Sequence, residues 1–157
     1  MIGWEPDALE NSADLKPRLP LHWDSVTVRN LHVGTSVLQY SMKQGINRTT
    51  HSLTLLQGPG VAVNFAPEIP AGMEIKKILL DGRPVAVNQK TVRGLLAVPI
   101  SFVVKKRSEV IFEHSKGIGM VPITPKPAPG DSSLGWRIIT ASLVGNKYTV
   151  VVQGKSG

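Results

Sequence analysis

The sequence predicts an all-β chain: two antiparallel sheets packed as a β-sandwich of about nine or ten strands, with an extended N-terminal lead-in. Three observations predict it. Apolar and polar residues alternate in short runs, the period-2 mark of half-buried strands. The chain holds 15 Gly and 12 Pro in 157 residues, more than average usage and enough turn formers to separate many short strands. No stretch shows a convincing helical period. Apolar residues make up 41% and charged residues 18%, a globular composition with material for one real core.

Residues 1–23 lack clear periodicity, and Pro6, Pro17 and Pro20 disfavour a long helix, so this segment reads as extended. From Ser25 the strand signals follow one another. "SVTVRNLHVG" places Val26 and Val28 on one face and Leu31 and Val33 at the opposite parity, which predicts a bulge near Asn30. "TSVLQYSMK" aligns Leu38, Tyr40 and Met42, and "THSLTLL" aligns Leu53 and Leu55. Val61, Val63 and Phe65 alternate with Ala62 and Asn64; Pro67, Pro70 and Gly72 then make a connection, and Met73 and Ile75 resume the alternation. Asp81-Gly82 is a short hairpin-turn signal, with Val85 and Val87 beyond it. "LLAVPISFVV" puts Leu96, Val98, Ile100, Phe102 and Val104 on one face, and "EVIFEH" returns with Val110 and Phe112. The loop "PITPKPAPGDSS" leads to "WRIITASLV", a turn at Gly145-Asn146, and "YTVVVQG". No internal repeat is evident.

Composition excludes several chemistries. The chain has no cysteine, hence no disulfide, thiolate metal site or cysteine nucleophile. The N-terminus shows no basic region followed by an apolar run, so it does not read as a signal peptide. No apolar run approaches membrane-spanning length. The compartment is left open. The net charge of +7 is uneven. Residues 1–24 carry Glu5, Asp7, Glu10, Asp14 and Asp24 against Lys16 and Arg18, net −3, so the remainder carries +10. The one cationic cluster, Lys105-Lys106-Arg107, lies between two apolar runs and reads as a solvated hairpin tip. Without interleaved aromatics to stack bases, neither a nucleic-acid nor a membrane partner is expected.

Catalytic constellations are sparse. Glycoside hydrolysis needs two carboxyls about 5–9.5 Å apart. Beyond residue 24 the acids are Glu68, Glu74, Asp81, Glu109, Glu113 and Asp131, mostly at turns or strand ends. Glu109 and Glu113 share a strand face, but four residues of strand span roughly 13 Å. His22, His32, His51 and His114 lack compact metal-ligand spacing and read as surface or locally bonded histidines. Asp24-Ser25 near His22 is local clustering, not the assembly of a triad. No GxSxG elbow is present. "QGPG" and "GIGM" lack phosphate-loop spacing and a following helix. Asn47-Arg48-Thr49 matches the glycosylation sequon by pattern only. No catalytic residue, metal ligand or cofactor is therefore expected. Among the aromatics, Phe65, Phe102 and Phe112 sit at core parity; Tyr40 shares a face with Leu38 and Met42, and Tyr148 with Val150 and Val152. Trp4, Trp23 and Trp136 are the candidates for a domain interface or a sugar contact.

"WEPDAL" at 4–9, "PRLPLHWDSVTVRNLHVG" at 17–34, "VNFAPEIPAGMEIKKILLDGRPV" at 63–85, "LLAVPISF" and "GWRIITASLVGNKYTVVVQGKSG" together resemble one family region. It is the C-terminal β-sandwich of bacterial glycoside hydrolases with a six-hairpin (α/α) barrel, similar to the amylo-α-1,6-glucosidase or glycogen-debranching-like proteins. The resemblance covers nearly the whole chain, but its motifs are packing and turn motifs, which say little about substrate. It implies that Pro6-Asp7-Ala8 is the barrel's tail and that Pro17 to Trp23 crosses into the sandwich. The expected organisation is thus a lead-in over 1–23 from an absent catalytic barrel and a sandwich over 24–157. The family's catalytic carboxylates belong to the barrel, so the resemblance brings none here. Family members continue past a "GKSG"-like turn into one more strand, which implies a sandwich lacking its last strand. The expected role is a non-catalytic accessory domain packed on the barrel of its parent. The alternatives are a carbohydrate-binding module that meets oligo- or polysaccharide, and an immunoglobulin-like interaction domain using its basic face.

Overall fold

The computed structural model describes residues 2–18, 23–70, 72–86, 90–92, 95–115, 117–118 and 137–154. Among these residues there is no helix, and fifteen strands form. In chain order they begin with β1 (Trp4–Asp7), β2 (Ser12–Leu15), β3 (Ser25–Val33), β4 (Ser36–Gln44) and β5 (Arg48–Gln57). Next come β6 (Val61–Phe65), β7 (Glu68–Ile69), β8 (Ile75–Leu80), β9 (Arg83–Val85) and β10 (Lys90–Val92). The last are β11 (Leu95–Ala97), β12 (Ile100–Val104), β13 (Arg107–His114), β14 (Arg137–Val144) and β15 (Lys147–Gln153). The number exceeds the nine or ten expected because β1, β2, β7, β9, β10 and β11 are two to four residues long, too short to show a period.

The β-sandwich forms as the alternation requires. A six-stranded antiparallel sheet runs β3-β4-β5-β13-β8-β9, and a four-stranded sheet runs β1-β2-β6-β12. Their facing residues make one core: Leu38, Tyr40, Met42, Leu53, Ile78, Val110 and Phe112 from the larger sheet meet Ala13, Leu15, Val61, Val63, Phe65, Ile100 and Val104 from the smaller. A short sheet β10-β11-β7 buries Ile69 and Ala97, and among the described residues β14-β15 is a two-stranded hairpin.

Local chemistry explains the registers. The bulge expected near Asn30 is present: pairing of β3 with β4 shifts between Val28 and Leu31, and Asn30 has φ 58°. That one extra residue returns Leu31 and Val33 to the face of Val26 and Val28. At the Asp81-Gly82 turn φ is 50° and 79°, the double left-handed conformation that matches strand twist in a two-residue hairpin. Gly58, with φ 89°, closes against β4: a Cβ there would lie 2.6 Å from Ser36 Cα.

Several expectations need correction. Residues 4–15, expected in a lead-in ahead of the sandwich, are built into it. β1 and β2 form a hairpin, and β2 pairs in parallel with β6, Ser12 opposite Ala62 and Leu15 opposite Phe65. Ala13 and Leu15 are core residues. Four residues of strand carry too few alternations to announce this. The run "LLAVPISFVV" is two strands in two sheets, because Pro99 has no N–H to donate and the chain changes partner there, from β7 to β6. Lys105 and Lys106 are exposed as expected, but they link β12 to β13 across the two sheets and are not a hairpin tip.

Candidate functional site

A cleft opens between the inner face of the larger sheet and residues Pro67, Glu68, Ile69, Pro70 and Met73. Its volume is about 70 Å³. Met42, His51, Phe112 and His114 contribute one wall; Pro67, Ile69, Pro70 and Met73 the other; Pro17, Gln44, Thr49, Glu68 and Ile75 complete it. The strand registers bring them together. Met42 pairs with His51, His51 with Val110, and Phe112 with Thr49, so the inner faces of β4, β5 and β13 converge at one end of the sheet. The backbone of Glu68 donates to Pro17 O at 3.4 Å, which ties the opposite wall to the N-terminal segment.

Each titratable group here has a physical explanation. His51 is only 7% exposed. Its Nδ1 shares a hydrogen bond of 2.8 Å with the Tyr40 hydroxyl. Its ring lies 4.9 Å from Phe65 and 5.6 Å, edge-on, from Phe112. Burial lowers its pKa to about 3, so the imidazole is neutral at ordinary pH, and burial likewise pushes the Tyr40 phenol up. His114, 2% exposed, bonds through Nδ1 to the Ser115 carbonyl at 2.7 Å and through Nε2 to Thr49 Oγ1 at 2.8 Å. The carbonyl can only accept, which places a proton on Nδ1. The Glu68 carboxyl is raised by desolvation, opposed by its ion pair with the Arg18 guanidinium. These are braces: the polar groups hold strands to one another. A histidine held neutral down to acid pH is a poor general base near neutrality.

The tryptophans separate. Trp4 is half-buried against the core, and its indole N–H donates to His32 O at 3.3 Å, joining β1 to β3. Trp23 is 41% exposed. It precedes Asp24, whose carbonyl accepts from the backbone N–H of Gln44, a cleft residue, at 2.7 Å. Ile46, two residues past Gln44, is 75% exposed. Trp136 and His22 lie outside the described residues. The expectation of surface or locally bonded histidines is corrected for His51, which is buried at the inward parity of Leu53 and bonded across strands to Tyr40; His114 is locally bonded, through Ser115, and is buried as well. Glu109 and Glu113 do share the outer face, but Glu109 is tied to Arg107 at 3.2 Å and Ser52 at 3.3 Å. No group of three His, Asp or Glu among the described residues is placed to hold a metal ion.

No family model matches the chain, and no curated protein matches it.

Proposed function

We propose that this chain is a non-catalytic accessory β-sandwich domain of a bacterial glycoside hydrolase, packing on and stabilising a catalytic (α/α) barrel. One observation carries the reading beyond the sequence resemblance. The cleft's titratable groups are bound to other protein groups, His51 to Tyr40, His114 to Thr49 and Glu68 to Arg18. Such a site is organised for contact and not for proton transfer. The purified chain is expected to hydrolyse no α- or β-glycoside. Turnover that follows the pure chain and vanishes in Glu68→Gln or Glu113→Gln would overturn the proposal.

A second reading, a carbohydrate-binding module, draws on the exposure of Trp23, whose indole face could stack on a pyranose. It expects Trp fluorescence to shift with millimolar α- or β-glucan oligosaccharides, and an unchanged spectrum across the panel removes it.

A further inference from the structure

We infer that the cleft is a binding site for a small neutral organic molecule of about three or four non-hydrogen atoms, whose oxygen accepts a hydrogen bond from His51 Nε2–H while its apolar part fills the rest. A ligand there is compatible with the accessory-domain reading and does not require it.

The donor follows from Tyr40. That residue is 0% exposed, and among the described residues its hydroxyl bonds only to His51 Nδ1, at 2.8 Å. A buried hydroxyl keeps its proton in a hydrogen bond, so Tyr40 donates and Nδ1 accepts. The imidazole is neutral, and its one ring proton therefore sits on Nε2. His51 is 7% exposed and lines the cleft, whereas Tyr40 does not. Among the described residues nothing bonds Nε2, and no side-chain nitrogen or oxygen is both unbonded and sealed. The Nε2–H therefore opens on the cleft.

The other titratable groups are taken. His114 Nδ1–H is held by Ser115 O, so its Nε2 accepts from the Thr49 hydroxyl. Glu68 is paired with Arg18. Among the described residues no lysine or arginine lines the cleft, so an anion finds no counter-charge there, and the His51 N–H repels a cation. The group recognised is thus a neutral acceptor. The size limits it further. A volume of about 70 Å³ is roughly half of the 150 Å³ that accepts benzene in an engineered apolar cavity, which leaves room for about three or four heavy atoms and none for a sugar ring. Met42, Ile69, Met73, Ile75 and Phe112 give the guest apolar contact, and the two methionines adapt their shape to it. Apolar walls around one donor suit an oxygen on a short hydrocarbon better than water, which is held in cavities through about two to four polar partners.

The test uses the 157-residue chain, isotope-labelled at histidine, at neutral pH. Long-range proton–nitrogen NMR spectra read which ring nitrogen of His51 carries the proton and follow it during titration with acetone. The expected result is a proton on Nε2 and a saturable shift of that nitrogen, half-complete in the millimolar range usual for so small a ligand. Isobutene has the same shape without the acceptor, and acetate is an anion; each should bind about tenfold more weakly. Met73→Phe narrows the cleft and should weaken acetone about tenfold while leaving the His51 proton on Nε2. Should M73F not fold, contacts from the acetone methyls to the Met42 and Met73 methyls, read as nuclear Overhauser effects in the unaltered chain, locate the ligand without it. A proton on Nδ1 overturns the inference, because the cleft then has no donor. No saturable shift means that the cleft holds water only, and the inference is wrong. Isobutene binding as well as acetone reduces the site to an apolar hole, and acetate binding more tightly makes it an anion site; either result overturns it. Acetone contacts elsewhere, or an undiminished response in M73F, remove the cleft as the site.

Discussion

At the scale of single residues, the Tyr40–His51 pair controls the response to acid. The folded pKa of His51, about 3, lies below its ordinary value of 6.5. The pair's contribution is therefore complete above pH 6.5 and is lost as pH falls toward 3. In that window stability should fall by about 1.4 kcal/mol per pH unit, since the unfolded chain takes up a proton the folded chain refuses. Asp14 adds to the same trend: its bonds to Lys16 and Asn64 lower its pKa, a contribution lost as pH falls. Its exposure makes that contribution small. Glu68, raised by burial, works weakly in the opposite direction. Urea midpoints at pH 7.5 and 4.5 measure the slope. Tyr40→Phe alone leaves His51 Nδ1 without its partner and should cost about 1–3 kcal/mol at pH 7. Tyr40→Phe combined with His51→Phe should recover much of that loss and flatten the acid slope. A double variant with an undiminished slope would assign it to other groups. The inward parity of His51 was readable from Leu53 two residues on. Its partner was not, because pairing β4 with β5 is a register fact and neither strand states it alone.

At the scale of elements, turns and bulges were the most legible features, since each is a local backbone demand. Asp81-Gly82 and the Asn30 bulge arise from residues adjacent in sequence. The constraint on Gly58 was hidden, because it comes from Ser36 across the sheet. The two glycines should therefore differ under the same substitution. Gly82→Ala meets open space and should cost about 1 kcal/mol for its left-handed φ alone. Gly58→Ala has that cost plus a clash at 2.6 Å with Ser36 backbone and at 2.7 Å with the hydroxyl that bonds Pro59 O, and should lose more than about 2 kcal/mol. Thermal unfolding of the two variants side by side checks the order. The division of residues 95–104 at Pro99 was hidden for a different reason. Val98 and Ile100 are both buried, so the alternation runs unbroken through the point where the chain changes sheets.

At the scale of the whole molecule, the sandwich was legible as a class, while its N-terminal boundary was not. β2 has only two inward residues, Ala13 and Leu15, and their importance comes from a partner 50 positions away. The cleft was illegible for the same reason: Pro17, Met42, Glu68 and Phe112 come from four separate segments. Removing residues 1–18 should therefore abolish cooperative unfolding, because β6 loses one of its two neighbours and the core loses Ala13, Leu15 and the packing of Trp4. A truncated chain that still melts in one transition within 1 °C or so of the parent would make the segment a linker; the shift expected for even 1 kcal/mol is about 2–8 °C. Leu15→Ala in the intact chain should cost about 2–5 kcal/mol. The parallel pairing of β2 with β6 also sets a schedule for synthesis. On a ribosome adding about 5–20 residues per second, Ser12 emerges roughly 2–10 s before its partner Ala62. Throughout that interval Ala13 and Leu15 have only the β1–β2 hairpin around them, open to nascent-chain binding factors or to other chains. The fold's first two strands cannot lock onto the sheet until β6 is made, so conditions that slow translation should lower the soluble yield of this protein before they alter the stability of the molecules that do fold.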